Sequence, residues 1–329
     1  MSARSTIFCI IIVCCVLLSI ASAHVPVMVE GEHNRPATAV VIDDPTKSWV
    51  IYAGLPTNDT VDYYRLRMEA GEQIRLSVQT PEEGAFAPGL VVMGPGIESA
   101  GTPPPFIRLP GTGGAAVIPG ERPDSPFFEP FTPSKTYETA EITIPAPETG
   151  DYYVAVYADE YAGPYALAVG TRESYTLTEW LTIPVDVIGI HLWEGQSLAV
   201  ILAPLIVVVA AGLLLIGGRQ RRTLSAFAWA AVLAGLLSIG SGAMTIVQLI
   251  IAAMGSPLTA AILVTLIVAL IPIVLGTAML LIGLRRRSGI TDRAAMVVLG
   301  IIGLFTWAGM IAGPVIAILS AVLPGDGKR

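Results

Sequence analysis

Cysteine occurs only as Cys9, Cys14 and Cys15, all inside the first apolar run. If that run is removed, the remaining chain has neither a disulfide framework nor a thiolate nucleophile. An outer domain without disulfides must stand on its hydrophobic core, and roughly 150 residues suffice for one. Histidine is nearly as scarce, with His24, His33 and His191 alone. Neither G-x-S-x-G nor H-E-x-x-H occurs, which excludes the common serine-hydrolase and zinc-protease arrangements. The two carboxylates of a glycosidase need not be close in sequence, but a small outer region with simple loops argues against that chemistry as well. The chain therefore reads as non-enzymatic. Charged residues make up 14% of it, against about 25% in soluble domains, and hydrophobic residues 53%.

The little charge present is unevenly placed. Behind a net charge of -7, nearly every Asp and Glu lies between Glu30 and Glu194. Such an acidic half repels nucleic acid and anionic lipid, and suits a cation, a basic protein surface or a neutral glycan. Beyond Glu194 the chain is almost continuously apolar. The change falls in Tyr175–Gln196, which carries Trp180 and Trp193 with Pro184 and Gly189 between them. Indole rings prefer the membrane–water boundary, where the ring is buried and the N–H finds a partner. This stretch, 175–196, is read as an interfacial collar, a short amphipathic helix broken near Pro184. A last strand followed by a linker is the alternative.

Residues 1–23 read as a secretory signal: Arg4, an apolar core from Ile7 to Ile20, and Ala21-Ser22-Ala23 as the cleavage site. An uncleaved anchor is the alternative. Residues 24–45 read as a solvated N-terminal arm, and 46–174 as a β-domain. Within it Tyr64, Leu66 and Met68 alternate with Tyr63, Arg65 and Arg67, and Ile74, Leu76 and Val78 alternate with Arg75 and Ser77. Short alternating runs between glycine and proline turns predict a β-sandwich.

Three segments carry a family likeness: DYYRLRMEAGEQIRLSV (Asp62–Val78), GLVVMGPG, and TGDYYVAVYADEYAGPYALAV (Thr149–Val169). Their order resembles the pre-peptidase C-terminal-like domain, across roughly 46–171. That resemblance implies a jelly-roll-like sandwich of the accessory kind found in secreted proteins, and carries over no catalytic residue. The chain departs from the family pattern by its membrane half and by an insertion, 101–137, dense in proline. The insertion holds Phe106, Phe127, Phe128 and Phe131. Disordered linkers are poor in aromatics, so these rings read either as a partner-binding loop or as a cover over one end of the sandwich.

Four apolar runs follow the collar, at 197–218, 226–254, 258–284 and 294–323, with a tail at 324–329. Each is long enough to span a bilayer, and none contains Asp, Glu, Lys, Arg or His. Ion and proton pathways usually need such groups, so a transporter is disfavoured. Arg219, Arg221 and Arg222 fill the first connection and Arg285, Arg286 and Arg287 the third. The positive-inside rule then puts these arginines in the cytoplasm and the β-domain outside. With four spans the tail also falls outside, which Lys328 and Arg329 oppose. Small residues four apart, such as Ser238 and Gly242 or Gly309 and Gly313, suit close helix packing within the bundle or between subunits.

Cleavage after Ala23 would expose His24, whose amine and imidazole together resemble the copper-binding histidine brace, with His33 as a second ligand. Against this, the brace needs a second histidine at a fixed place in the fold, and His33 and His191 are the only others. His191 belongs to the collar, far from the N-terminus, and Met28 is a lone thioether. Acidic pairs such as Asp43-Asp44 and Asp159-Glu160 lack a calcium-loop spacing and read as solvated turns. Asn58-Asp59-Thr60 is a glycosylation acceptor. The sequence as a whole reads as a membrane-anchored extracytoplasmic binding protein for a protein or glycan, or a subunit of a membrane assembly. Copper handling through His24 is the rival.

Overall fold

Alternation along the outer half produces strands, and the turns between them set their order. In the computed structural model, residues 24–81, 84–111, 113–219, 223–257, 259–285 and 288–325 are described. The expected leader, Arg221, Arg222, Arg286 and Arg287 lie outside those residues. The strands are β1 (Val25–Met28), β2 (Val40–Ile42), β3 (Trp49–Leu55), β4 (Thr60–Met68), β5 (Gln73–Thr80) and β6 (Gly89–Gly94). They continue as β7 (Gly114–Ile118), β8 (Phe127–Glu129), β9 (Ser134–Pro145), β10 (Gly150–Ala158) and β11 (Gly163–Val169). Two sheets result, one ordered β1-β3-β11-β5-β9-β8 and the other β2-β4-β10-β6-β7.

Ile74, Leu76 and Val78 of β5 point inward to meet Tyr64, Leu66 and Met68 of β4, as their alternation predicts. The motif residues have a specific task there. Tyr165 on β11 donates to Asp62 Oδ2 at 2.8 Å and lies 2.6 Å, Oη to Oη, from Tyr64. One buried hydrogen-bonded chain therefore ties the two sheets together. Tyr152 donates to Pro95 O at 3.0 Å, and its ring occupies the space where any side chain at Gly94 would go. That explains the glycine in the G-P-G turn.

The segment 24–45 does not hang free. β1 pairs in parallel with β3 and β2 in parallel with β4, so it supplies an edge strand to each sheet. Its Val25 and Ile42 are buried, which gives these edges an apolar reason to dock. The second sheet is covered on its outer face as well: Ile107 and Phe106 from the proline-rich insertion fold over Tyr63 and Tyr157.

The collar is helix α1 (Leu177–Trp193), opened by a capping box between Thr176 and Glu179. It runs unbroken through Pro184. A proline removes one N–H, here the one that would reach the carbonyl of Trp180, four residues earlier. That carbonyl instead accepts the indole N–H of Trp307 at 2.9 Å. Leu177, Leu181, Val185 and Leu192 form an exposed apolar stripe along the helix, which suits a membrane surface.

Among the described residues three helices are long and apolar enough to cross a membrane: α2 (Leu198–Arg219), α3 (Ala226–Ala253) and α4 (Ala260–Gly283). The chain is thus a membrane protein with a β-domain ahead of a helical domain. The expected fourth span, 294–323, is not one helix. It divides into α5 (Ile290–Phe305) and α6 (Ala312–Ser320), of 16 and 9 residues. At 1.5 Å per residue these reach about 24 Å and 14 Å, short of the ~30 Å hydrocarbon core. The break has a backbone cause: Trp307, Gly309, Met310 and Ile311 all have positive φ, between 47° and 65°. No α-helix propagates through such residues. α6 turns back along α5, packing against it and against α3. Phe227 N donates to Pro324 O at 3.1 Å, and Arg293 donates to Ala321 O. Consequently Gly325 lies beside Ser288 and Arg293, at the arginine end of the bundle rather than the sandwich end.

Candidate functional site

The β-domain and the bundle meet over a broad junction that both build. Phe128 on β8 is 2% exposed and packs against Leu249 and Ala252 of α3, with Ala261 and Ile262 of α4 beside it. Thr265 on α4 donates to Pro130 O at 2.8 Å. Gln196, just after the collar, exchanges two amide hydrogen bonds with Gln248 of α3, each 2.9 Å. Lys47 pairs with Glu179 at 2.7 Å, and Trp193 donates to Ala53 O at 2.8 Å, fixing α1 to the sandwich. Trp180 and Trp307 stack with centroids 4.2 Å apart, fixing α1 to the helical hairpin.

Between these contacts lies a partly open, mainly apolar chamber of about 250 Å³. Its walls come from the six-stranded sheet (Tyr52, Gln79), the insertion (Glu129–Ser134 and Thr136), and the collar (Ile183, Val187, His191, Glu194). The bundle adds Met244, Gln248, Val264, Thr265 and Val268, and the hairpin turn adds Trp307 and Met310. Small-molecule sites are commonly clefts of about 300–1,000 Å³ at such domain junctions, apolar with a few placed polar groups. Two of the polar groups, Glu129 and Glu194, are carboxyls, and the others are hydroxyls, amides, imidazoles and indoles. Glu129 accepts from Phe131 N at 3.1 Å, and burial pushes its carboxyl from an ordinary 4.5 up to about 7, the one amide bond only partly opposing this. It is partly exposed and lines both the chamber and the recess beside it. His191 and Glu194 form a buried pair at 2.8 Å, with Glu194 side-chain exposure at 9%. Glu194 Oε1 and Tyr175 Oη are buried with no hydrogen-bond partner among the described residues. Among the described residues no Lys or Arg lines the chamber. Past His24, Gln79 and Glu129 it adjoins a more polar recess of about 480 Å³, where Arg75 pairs with Glu141 at 3.7 Å.

The residues singled out from sequence go to different places. Phe131 lines the chamber, Phe128 is locked into the bundle, and Phe106 meets the Tyr157 ring edge-on at 6.5 Å. Only Phe127 of the four is mostly exposed, at 57%. His24 bonds Ser48 through Nδ1, and burial lowers its pKa. His33 bonds Glu30 O at 3.2 Å beside β4 of the other sheet, so the two histidines share no partner. Among the described residues no group of three or more His, Cys, Asp or Glu is arranged to hold a metal. Asn58 is exposed in the turn before β4. Arg219 ends α2, and Arg285 pairs with Asp292 at 2.6 Å. Sequence reasoning did not find Glu129, Glu194, Tyr175 or Gln248. Their distance apart in the chain hides them, and the one available signal was a glutamine inside an otherwise apolar run.

No family model and no curated protein matches the chain. Solved structures similar to it include Aeromonas hydrophila PliG, a periplasmic inhibitor of g-type lysozyme, at 16% identity. That match covers 46% of this chain and 100% of the other, with a TM-score of 0.24. Another is the pre-peptidase C-terminal domain of collagenase from Bacillus anthracis, at 20% identity over 41% of this chain and 96% of the other, TM-score 0.24. Scores this low bear on neither the chain's topology nor its activity.

Proposed function

We propose that this chain is a membrane-anchored, non-catalytic binding protein whose ligand site is the chamber between its β-domain and its bundle. The observation that carries the reading is the double origin of the walls. Sandwich, collar, bundle and hairpin each contribute side chains, so the cavity exists only while the two halves are docked. The sandwich is read as a jelly-roll-like accessory module, on its D-Y-Y, T-G-x-Y-Y and G-x-Y segments. We read it as extracytoplasmic, a reading supported by the position of Arg219 at the end of α2 and of Arg285 after α4, away from the β-domain. Phe127 is the remaining exposed ring through which the insertion would meet a protein or glycan.

Mass spectrometry of the full chain, purified from its native membrane in mild detergent, tests this. A non-covalent small molecule should be retained by the wild type and lost from Val268→Phe, which fills the chamber. Retention indifferent to that substitution would remove the chamber from the function. A protein partner lost on Phe127→Ser, with no small molecule retained, would move the site to the insertion.

A further inference from the structure

Resting on the chamber reading, we infer that the ligand is a lipid amphiphile whose head group donates hydrogen bonds, an amine or a hydroxyl, and is not anionic. Two independent features carry this. The first is continuity with lipid. α4 lends the chamber Val264 and Val268, while its neighbours Leu263 and Ile267 are 62% and 46% exposed on the face of a helix that spans the membrane. The chamber follows α3 inward from Gln248 to Met244 and on to Ser241, roughly 10 Å of helix. An apolar chain entering it exchanges hydrocarbon for side chains of equal polarity, while a wholly polar ligand would be stripped of water with little return.

The second feature is the sign and satisfaction of the polar groups. Glu194 is the telling residue: Oε2 holds His191 Nδ1, but Oε1 is buried and lacks a partner. A buried acceptor without a donor is costly, and its natural complement is an N–H or O–H. Tyr175 Oη lacks a partner in the same lining. Glu129 adds a second carboxyl, and among the described residues no lysine or arginine lines the walls to receive a carboxylate or phosphate. The nearest arginine in the adjoining recess, Arg75, already faces Glu141. An anionic head would meet the Glu194 and Glu129 carboxyls and find no lysine or arginine among the described lining residues to pair with it.

The test uses three probes with one chain and different heads: oleylamine, oleyl alcohol and oleate, titrated into the full-length protein in dodecyl maltoside. The signal is intrinsic fluorescence, since Trp193 and Trp307 line the chamber. The amine and the alcohol should bind at least about tenfold tighter than oleate, the scale of one good hydrogen bond to a charged group. Glu194→Gln should cost the amine most of that advantage, with thermal unfolding confirming a folded variant. Oleate binding as tightly as the amine would overturn the head-group assignment. If none of the three binds while native purification still retains a small molecule sensitive to Val268→Phe, the lipid inference fails and the chamber reading stands. If the probes bind equally well to Val268→Phe and to Met244→Trp, both fail together.

Discussion

Glu129 shows how one residue can connect the two halves of the molecule. It sits at the end of a three-residue strand, β8, whose neighbour Phe128 is clamped by the bundle. Burial raises its carboxyl from 4.5 to about 7, against the lowering effect of the Phe131 amide. The folded chain therefore holds that proton more tightly than the unfolded one. Its contribution is fully present below 4.5 and is lost as pH rises through about 7, a span worth roughly 3 kcal/mol at most. Thermal unfolding in detergent should show the wild type losing stability between about pH 5 and pH 8, with Glu129→Gln losing distinctly less. A parallel pH dependence in both would mean that the carboxyl is not buried in the folded chain. Nothing in the sequence around Glu129 marks it, because the bundle and collar side chains that share its chamber lie far along the chain.

At the scale of elements, some features were plain in the sequence and others were hidden for a physical reason. The strands of the sandwich announce themselves by alternation, and Asp62, Tyr64 and Tyr165 belong to the very segments that suggested the family likeness. The two-limbed hairpin did not announce itself. Hydropathy sums composition, and the residues of the turn are as apolar as those of a helix; only their backbone angles differ. Length was the available warning, since 294–323 would make about 45 Å of helix for ~30 Å of hydrocarbon. Helix contacts behave differently again. Gly235 on α3 faces Gly276 on α4 so closely that a Cβ at Gly235 would sit 2.6 Å from Gly276 O. The obstacle is backbone and cannot swing away. Gly235→Val should destabilise the bundle by about 1–3 kcal/mol or more, read as a lowered Tm in detergent. An unchanged Tm would mean that these two helices do not meet there.

For the whole molecule, the hairpin alters which ends lie together. Gly325 returns to Ser288 and Arg293, while Gly255 in the α3–α4 connection lies against Lys135 of the sandwich. Single cysteines report this cleanly, because the sequence has none beyond Cys15. A cysteine at Gly325 should label from the same side of the membrane as one at Ser288, and from the opposite side to one at Ser256. Labelling of Gly325 together with Ser256 would restore four simple spans. The residues that oppose the four-span arrangement, Lys328 and Arg329, were legible all along; what composition alone lacked was a place for the extra reversal.

The hydrogen bond from Trp307 to the carbonyl left open by Pro184 also says something about time. The acceptor is made early, on the collar, and the donor leaves the ribosome more than a hundred residues later. Until α5 and its turn are inserted, the collar carries an unanswered polar group at the edge of the bilayer, and the chamber lacks a wall. A chain that stalls after α4 is therefore marked as unfinished at its own waist.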